Sequence, residues 1–254
     1  MKHPYKEPLI NLFQRIIELR HSSNRINSVL QKDVEKYTAE GARFFSGSSL
    51  VISDWTGKTD NGGELNFHTG VSKKTEKENY AKEVHNILST EFCLAFAQSF
   101  EALETFLKDI IFQNSLLEKA SIERGKIPGG EKLFKLIKEA CGEDFKKCSN
   151  KNNKNLRFKQ FWSTISESRH AVVHSSCRIK VNKVNKSLDH FATFKYLFDF
   201  AKLEDEILLI KLNYKQLDKV LKNVSEFAYQ VYKILSEKEN LEYKFEKDTA
   251  HNHA

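Results

Sequence analysis

The stretch ESRHAVVHSS, residues 167–176, sets one arginine and two histidines within six positions. Arg169 and His174 are separated by four residues, and His170 lies between them. Three chemistries use residues of these types at this spacing. Two histidines four apart on a helix can hold a metal ion, and Glu167 lies on the same face as a further ligand. An arginine with a histidine suits metal-free phosphodiester cleavage. The imidazole moves a proton at the ribose 2′-hydroxyl or the leaving 5′-oxygen, and the guanidinium holds the charge that builds on the phosphoryl oxygens. A third possibility is structural, with the arginine closing an ion pair inside a core.

The surrounding helix separates these residues. At about 100° per residue, Phe158, Phe161, Trp162, Ile165, Val172 and Val173 fall in a sector about 120° wide, which marks a core face. Arg169 falls inside that sector, whereas Ser163, Glu167, His170 and His174 share another face. A guanidinium in an apolar stripe costs several kcal/mol unless it is paired. The segment SFEALETF supplies two carboxylates for that purpose, Glu101 and Glu104.

The charge around this helix is one-sided. Between Phe145 and Leu188 there are eleven basic residues and one acid, Glu167, in a chain whose net charge is only +7. Lys146, Lys147, Lys151, Lys154, Arg157, Lys159, Arg178 and Lys180 flank the motif and are the candidate contacts to a polyanion, chiefly RNA. RNA carries its own nucleophile, so such a site needs neither metal nor cofactor.

The elements that must position the motif are helical. Three prolines and ten glycines in 254 residues leave long stretches uninterrupted. Apolar periodicity predicts helices over 8–40, weakened or broken at Ser22-Ser23-Asn24, and over 77–118, 131–140, 156–177, 189–202 and 214–238. Residues 131–140 should stop near Gly142, and KKCSNKNNKN after it reads as a polar, mobile loop. CRIKVNKVNKSL reads as a basic connector, and EILLIKLN fits either a helix or a short strand. Residues 45–75 break the pattern: LVISDW and ELNFH around TDNGG suggest a short β-hairpin or a long ordered loop. The expected fold class is all-α, a helical bundle with one small β-hairpin-like or loop insertion. Its segments are an N-terminal helical region packing on the bundle (1–44), the insertion (45–75), the main helical domain (76–242) and a frayed tail (243–254).

The motif and its setting resemble the HEPN superfamily, whose R-x4–6-H motif is matched by Arg169, four residues and His174. In organisation the resemblance covers about residues 77–240; in motif it covers about ten residues. It implies a HEPN-type bundle acting as a homodimer, with two motif helices facing each other across one composite site. It implies a metal-independent endoribonuclease, with Arg169 on the phosphate, His174 as general acid or base and His170 in the supporting polar position. Glu101 or Glu104 would orient Arg169. Members of the family are often toxins or antiviral-defence effectors, so an antitoxin or defence protein is an implied partner. One branch carries x-Tyr after the histidine, the target of nucleotide transfer; this chain has Ser176 there.

Other signals point elsewhere or nowhere. The four cysteines, Cys93, Cys141, Cys148 and Cys177, form no CxxC pair and read as free thiols. HNHA at 251–254 has the letters of the HNH nucleases without their spacing. No apolar run reaches membrane-spanning length, and LINLF near the start is cut by Gln14 and Arg15, so the expectation is a cytoplasmic protein with no membrane partner. Two further readings stand beside the ribonuclease. One is a non-catalytic RNA- or nucleotide-binding helical module; the other is a helical interaction protein with a structural arginine.

Overall fold

The computed structural model describes residues 3–44, 46–120 and 122–245. HNHA and most of the expected frayed tail lie outside them. Along the described chain the elements are α1 (Lys6–Thr38), β1 (Ser46–Lys58), β2 (Glu64–Thr75), α2 (Tyr80–Leu117), α3 (Gly130–Asn150), α4 (Phe158–His174), β3 (Arg178–Lys180), α5 (Val181–Val184), α6 (Leu188–Leu197), β4 (Asp199–Glu204), β5 (Ile207–Lys211) and α7 (Tyr214–Lys238). The protein is mostly helical, within the mainly-α class expected, and two separate sheets interrupt the helices. No helix among the described residues is long and apolar enough to cross a membrane.

The chain divides into two compact units, Met1–Asn24 with Ser89–Ala254, and Arg25–Leu88. These divisions fall inside α1 and α2, whereas the segmentation read from sequence placed its breaks at 44/45 and 75/76. The Ser22-Ser23-Asn24 stretch does not break α1. The Ser22 hydroxyl donates back to the Leu19 carbonyl at 3.2 Å instead of capping a new helix.

In the Arg25–Leu88 unit, β1 and β2 form an antiparallel ribbon with Ile52 opposite Phe67 and Ser53 opposite Asn66. Its strands of 13 and 12 residues make it much longer than the short hairpin expected. Its turn closes through Gly62 N–H to the Thr59 carbonyl at 2.8 Å. Gly62 has φ of 78°, the region that favours glycine. Neither strand has a buried face, so strict alternation was not visible in the sequence, and the register is irregular between Ser49 and Val51 and between Asp54 and Lys58. Tyr37, Phe44 and Tyr80 pack together, with Phe44 and Tyr80 ring centroids 4.5 Å apart. The ribbon itself is exposed, and Trp55 is 99% accessible.

In the larger unit, α2 buries Phe92, Phe96, Phe100, Leu103, Phe106, Leu107 and Ile110. These include the apolar residues that defined its helix in sequence. α7 buries Leu217, Val220, Leu221, Val224, Phe227 and Val231, and begins with a capping box. Asn213 Oδ1 accepts from Gln216 N–H at 2.9 Å, and Gln216 Oε1 accepts from Asn213 N–H at 3.1 Å. α3 packs on α7 and on α4, and α4 packs on α6.

Three expectations fail in this unit. First, α3 does not stop at Gly142; it kinks there, with φ of 64° and ψ of −146°, and continues to Asn150. Lys146 and Lys147 are therefore helical, not part of a mobile loop. Second, the helix expected over 189–202 ends at Leu197, and its remainder is the start of β4. Third, the basic connector contains β3, and β3, β5 and β4 form an antiparallel sheet in that order. Ile179, Leu208 and Ile210 are its buried side chains.

Two outcomes test this architecture. The conformation of Gly142 is open to glycine and not to alanine, and no atom lies within 4 Å of an added Cβ. Gly142→Ala should therefore cost about 1–3 kcal/mol through the backbone alone, read as a lower urea midpoint with unchanged slope. The two tryptophans should separate in emission, since Trp162 is fully buried and Trp55 fully exposed. Trp55→Phe should remove the iodide-quenchable component and shift stability by no more than about 0.5 kcal/mol.

Candidate functional site

The motif helix α4 enters through an organised loop. The side chain of Asn152 makes five hydrogen bonds: Nδ2 donates to the carbonyls of Cys148, Ser149 and Leu156, and Oδ1 accepts from Lys154 and Leu156 N–H. The first helical N–H, of Phe158, donates to Ser149 Oγ at 3.0 Å. Asparagine imitates a backbone turn well, so the Asn-rich segment is folded on itself. Along α4, Phe158, Phe161, Trp162, Ile165, Ser168, Ala171 and Val172 are buried.

The far end of the helix is clamped. The Ala171 carbonyl accepts from both Ser175 and Cys177 N–H, each at 3.0 Å. Ser176 and Cys177 follow in the left-handed region, at φ of 49° and 64°. The Cys177 carbonyl then accepts from Ile210 N–H at 2.9 Å, and Arg178 pairs with Leu209 in the small sheet. The unpredicted sheet thus fixes the turn that immediately follows His174.

Arg169 sits at the edge of the buried face, with its side chain 27% exposed. Its Nη2 donates to Glu101 Oε1 at 2.8 Å, so α2 supplies the carboxylate that the apolar stripe demanded. Nε of Arg169 is shielded from solvent and has no acceptor among the described residues. Glu104 does not join this pair. Its Oε1 accepts from Gly130 N–H at 2.8 Å and so caps the N-terminus of α3, where Gly129 has no side chain to do it.

His170 and His174 are exposed, with ring centroids 4.8 Å apart. Neither forms a hydrogen bond with a described residue. Two side chains depart from the helical-wheel reading: Val173 is 43% exposed and Ser163 is buried. Lys186 Nζ accounts for Ser163, donating to its hydroxyl at 3.3 Å and to Glu167 Oε1 at 3.2 Å. Lys183 also reaches Glu167, at 3.7 Å. The one carboxylate that α4 could add to the histidine pair is thus held by two lysines. Among the described residues no group of three metal-ligating side chains occurs.

The basic residues divide in two. Lys147 pairs with Asp144 at 2.8 Å, Lys154 with Glu226, and Arg157 with Asp189 at 3.9 Å. Lys146, Lys151, Lys159, Arg178 and Lys180 form no ion pair with a described residue. A polar cavity of about 400 Å³, not foreseen in the sequence, opens at the start of α4 and is bordered by Asn150, Lys154, Arg157, Gln160, Asp189 and Tyr196. It joins loop and α6 residues more than thirty positions apart, which no local pattern reveals. At 1.5 Å per residue, Arg157 lies about 18 Å along the helix from Arg169, so the cavity and the motif occupy opposite ends of α4.

The thiols sit differently from four isolated cysteines. Cys93 on α2 and Cys177 in the turn after His174 interact with each other. That interaction holds the Cys177 thiol below its ordinary range, while the interaction and burial push Cys93 up. On α6, burial followed by the charges of Lys186 and Lys159 lowers His190.

No protein-family model, no curated protein and no solved structure matches the chain. What the site can do is therefore argued from its own residues.

The five bonds of Asn152 make it the residue that shapes the basic loop. Asn152→Ala should cost about 1–3 kcal/mol through the backbone groups it leaves unpaired, measured by urea unfolding. Early tryptic cleavage at Lys151 and Lys154 should accompany it.

Proposed function

We propose that this protein is a metal-independent endoribonuclease of HEPN type. The observation that carries the reading is the state of Arg169. Among the described residues, a half-buried guanidinium with five donors makes one hydrogen bond, to Glu101, and keeps an unpaired Nε. It stands on the same helix as two exposed histidines that form no hydrogen bond with a described residue. Such an arginine is oriented by its carboxylate and retains donors for an incoming phosphoryl oxygen.

In the proposed reaction a histidine removes the 2′-hydroxyl proton, and the oxygen attacks the adjacent phosphorus. The P–O5′ bond breaks, the 5′-oxygen takes up a proton, and a 2′,3′-cyclic phosphate remains. His174 carries the proton transfer and His170 supports it. Arg169 stabilises the charge on the phosphoryl oxygens. Arg169 and His174 are five residues apart, hence about 140° around the helix and about 7.5 Å along it. One helix therefore presents them in different directions. Two copies facing each other would set Arg169 of one beside His174 of the other, which supports a homodimer with a composite site. A role as a toxin or antiviral-defence effector, with an antitoxin or defence partner, follows from the resemblance alone.

The second reading, a non-catalytic RNA- or nucleotide-binding module, is favoured by the cavity at the other end of α4, where Lys154 and Arg157 border a polar space with no histidine. One experiment separates the two. A mixed RNA pool is incubated in EDTA with wild type, His174→Ala and Arg157→Ala. The ribonuclease gives cyclic-phosphate ends, and His174→Ala lowers the rate by about 10²–10⁴-fold with RNA binding retained. Binding without cleavage in wild type, weakened by Arg157→Ala and indifferent to His174→Ala, would establish the module instead.

A further inference from the structure

The two cysteines at the end of the motif helix form a pair with no part in the proposed reaction. Cys93 lies on α2, fully buried. Cys177 is half-buried, in the turn three residues after His174. The end of β5 brings them together. Ile210 N–H donates to the Cys177 carbonyl at 2.9 Å, and Leu212 N–H donates to Ser89 Oγ, one helical turn before Cys93, at 3.2 Å. Ile210 near the end of β5 and Leu212 just past it therefore hold the two sulfur-bearing segments together, and the thiols interact across the gap.

The pair differs in its setting from the other two cysteines. Cys177 and its neighbour Ser176 occupy consecutive left-handed conformations, which side chains other than glycine rarely adopt. Cys177 is the reachable member and Cys93 the enclosed one. Cys141 and Cys148 lack such an arrangement: Cys141 is buried, and Cys148 donates to Gln230 at 3.4 Å.

We propose that Cys93 and Cys177 are a reversible oxidation site that takes a low-molecular-weight disulfide as its substrate. The Cys177 thiolate attacks one sulfur of the small disulfide, forming a mixed disulfide and expelling one thiolate. Cys93 then gives up its proton and attacks the Cys177 sulfur, and the second small thiol leaves. The protein loses two hydrogens and the small disulfide gains them. The new bond ties α2, which carries Glu101 two turns further on, to the residue behind His174. It stands whatever reaction the histidines perform.

The test is equilibration of the full chain with oxidised and reduced glutathione, followed by thiol counting and peptide mapping. The expected result is loss of two of the four thiols, a single Cys93–Cys177 link, and full reversal by excess reduced glutathione. Cys93→Ser should stop at a glutathione adduct on Cys177. A Cys141→Ser/Cys148→Ser chain, which leaves the pair untouched, should give the same link as wild type. Hydrogen exchange at Ser175–Arg178 should slow at least tenfold on oxidation. Four thiols persisting in natively folded wild type, a stable adduct that Cys93 does not resolve, or a Cys141–Cys148 link would each overturn the proposal.

Discussion

The placing of the motif helix depends on the indole of Trp162. It is wholly buried, 5.2 Å from the ring of Phe100 on α2 and stacked at 5.7 Å on Phe134 of α3. The aromatic contacts continue from Phe134 to Phe145, to Phe158 and to Phe227 of α7. This one chain of rings sets α4 against α2, α3 and α7. Its indole Nε1 has no acceptor among the described residues, which costs about 1–3 kcal/mol. Burying roughly 150–250 Å² of indole contributes about 4–6 kcal/mol at ~25 cal/mol per Å². Packing outweighs the orphaned donor, so the helix is held by shape and not by polar pairing.

Rigid packing at Trp162 is what allows Arg169, two turns on, to be only partly satisfied. A guanidinium anchored by its own ion pair would need a complete set of acceptors. Here the helix is already fixed, so the Arg169–Glu101 bond orients the side chain without having to hold the fold. The same division applies at the other end. His174 is the last helical residue, and backbone bonds to Ala171 and from Ile210 determine the turn behind it. The turn behind His174 is therefore held without either imidazole, and both histidines remain exposed.

The parts of this arrangement that were legible in the sequence are those in which a physical cost acts locally. The apolar stripes of α2 and α7 announced themselves by period, and Arg169 in such a stripe required a carboxylate, which Glu101 supplies. Glu104, one turn away on the same helix, was equally plausible until the bare N-terminus at Gly129 claimed it. The sheet was hidden because β3 is three residues long within a basic run, while Phe194, Leu197 and Phe198 prolong a helical pattern into β4. Gly142 looked like a stop because glycine ends helices more often than it kinks them. Ser163 looked like a surface residue because its partner, Lys186, is 23 positions away.

Linear charge counting has the same blind spot, with consequences for how a polyanion would be held. Eleven basic residues against one acid between Phe145 and Leu188 is correct as a sum over that segment. In three dimensions Asp144, Asp189 and Glu226, from just before the segment and from α6 and α7, stand against Lys147, Arg157 and Lys154. These pairs are exposed, and exposed pairs contribute about 0–1 kcal/mol. A phosphate can therefore displace the carboxylates at little cost, but each displaced carboxylate remains nearby and repels the strand. Lys146, Lys151, Lys159, Arg178 and Lys180 carry no such penalty. The positive field is thus weaker than the sequence sum, and basic residues without an ion pair among the described residues lie on either side of α4: Lys151 and Lys159 at its start, Arg178 and Lys180 past His174. A strand bound at both would run along the helix that carries Arg169 and the two histidines.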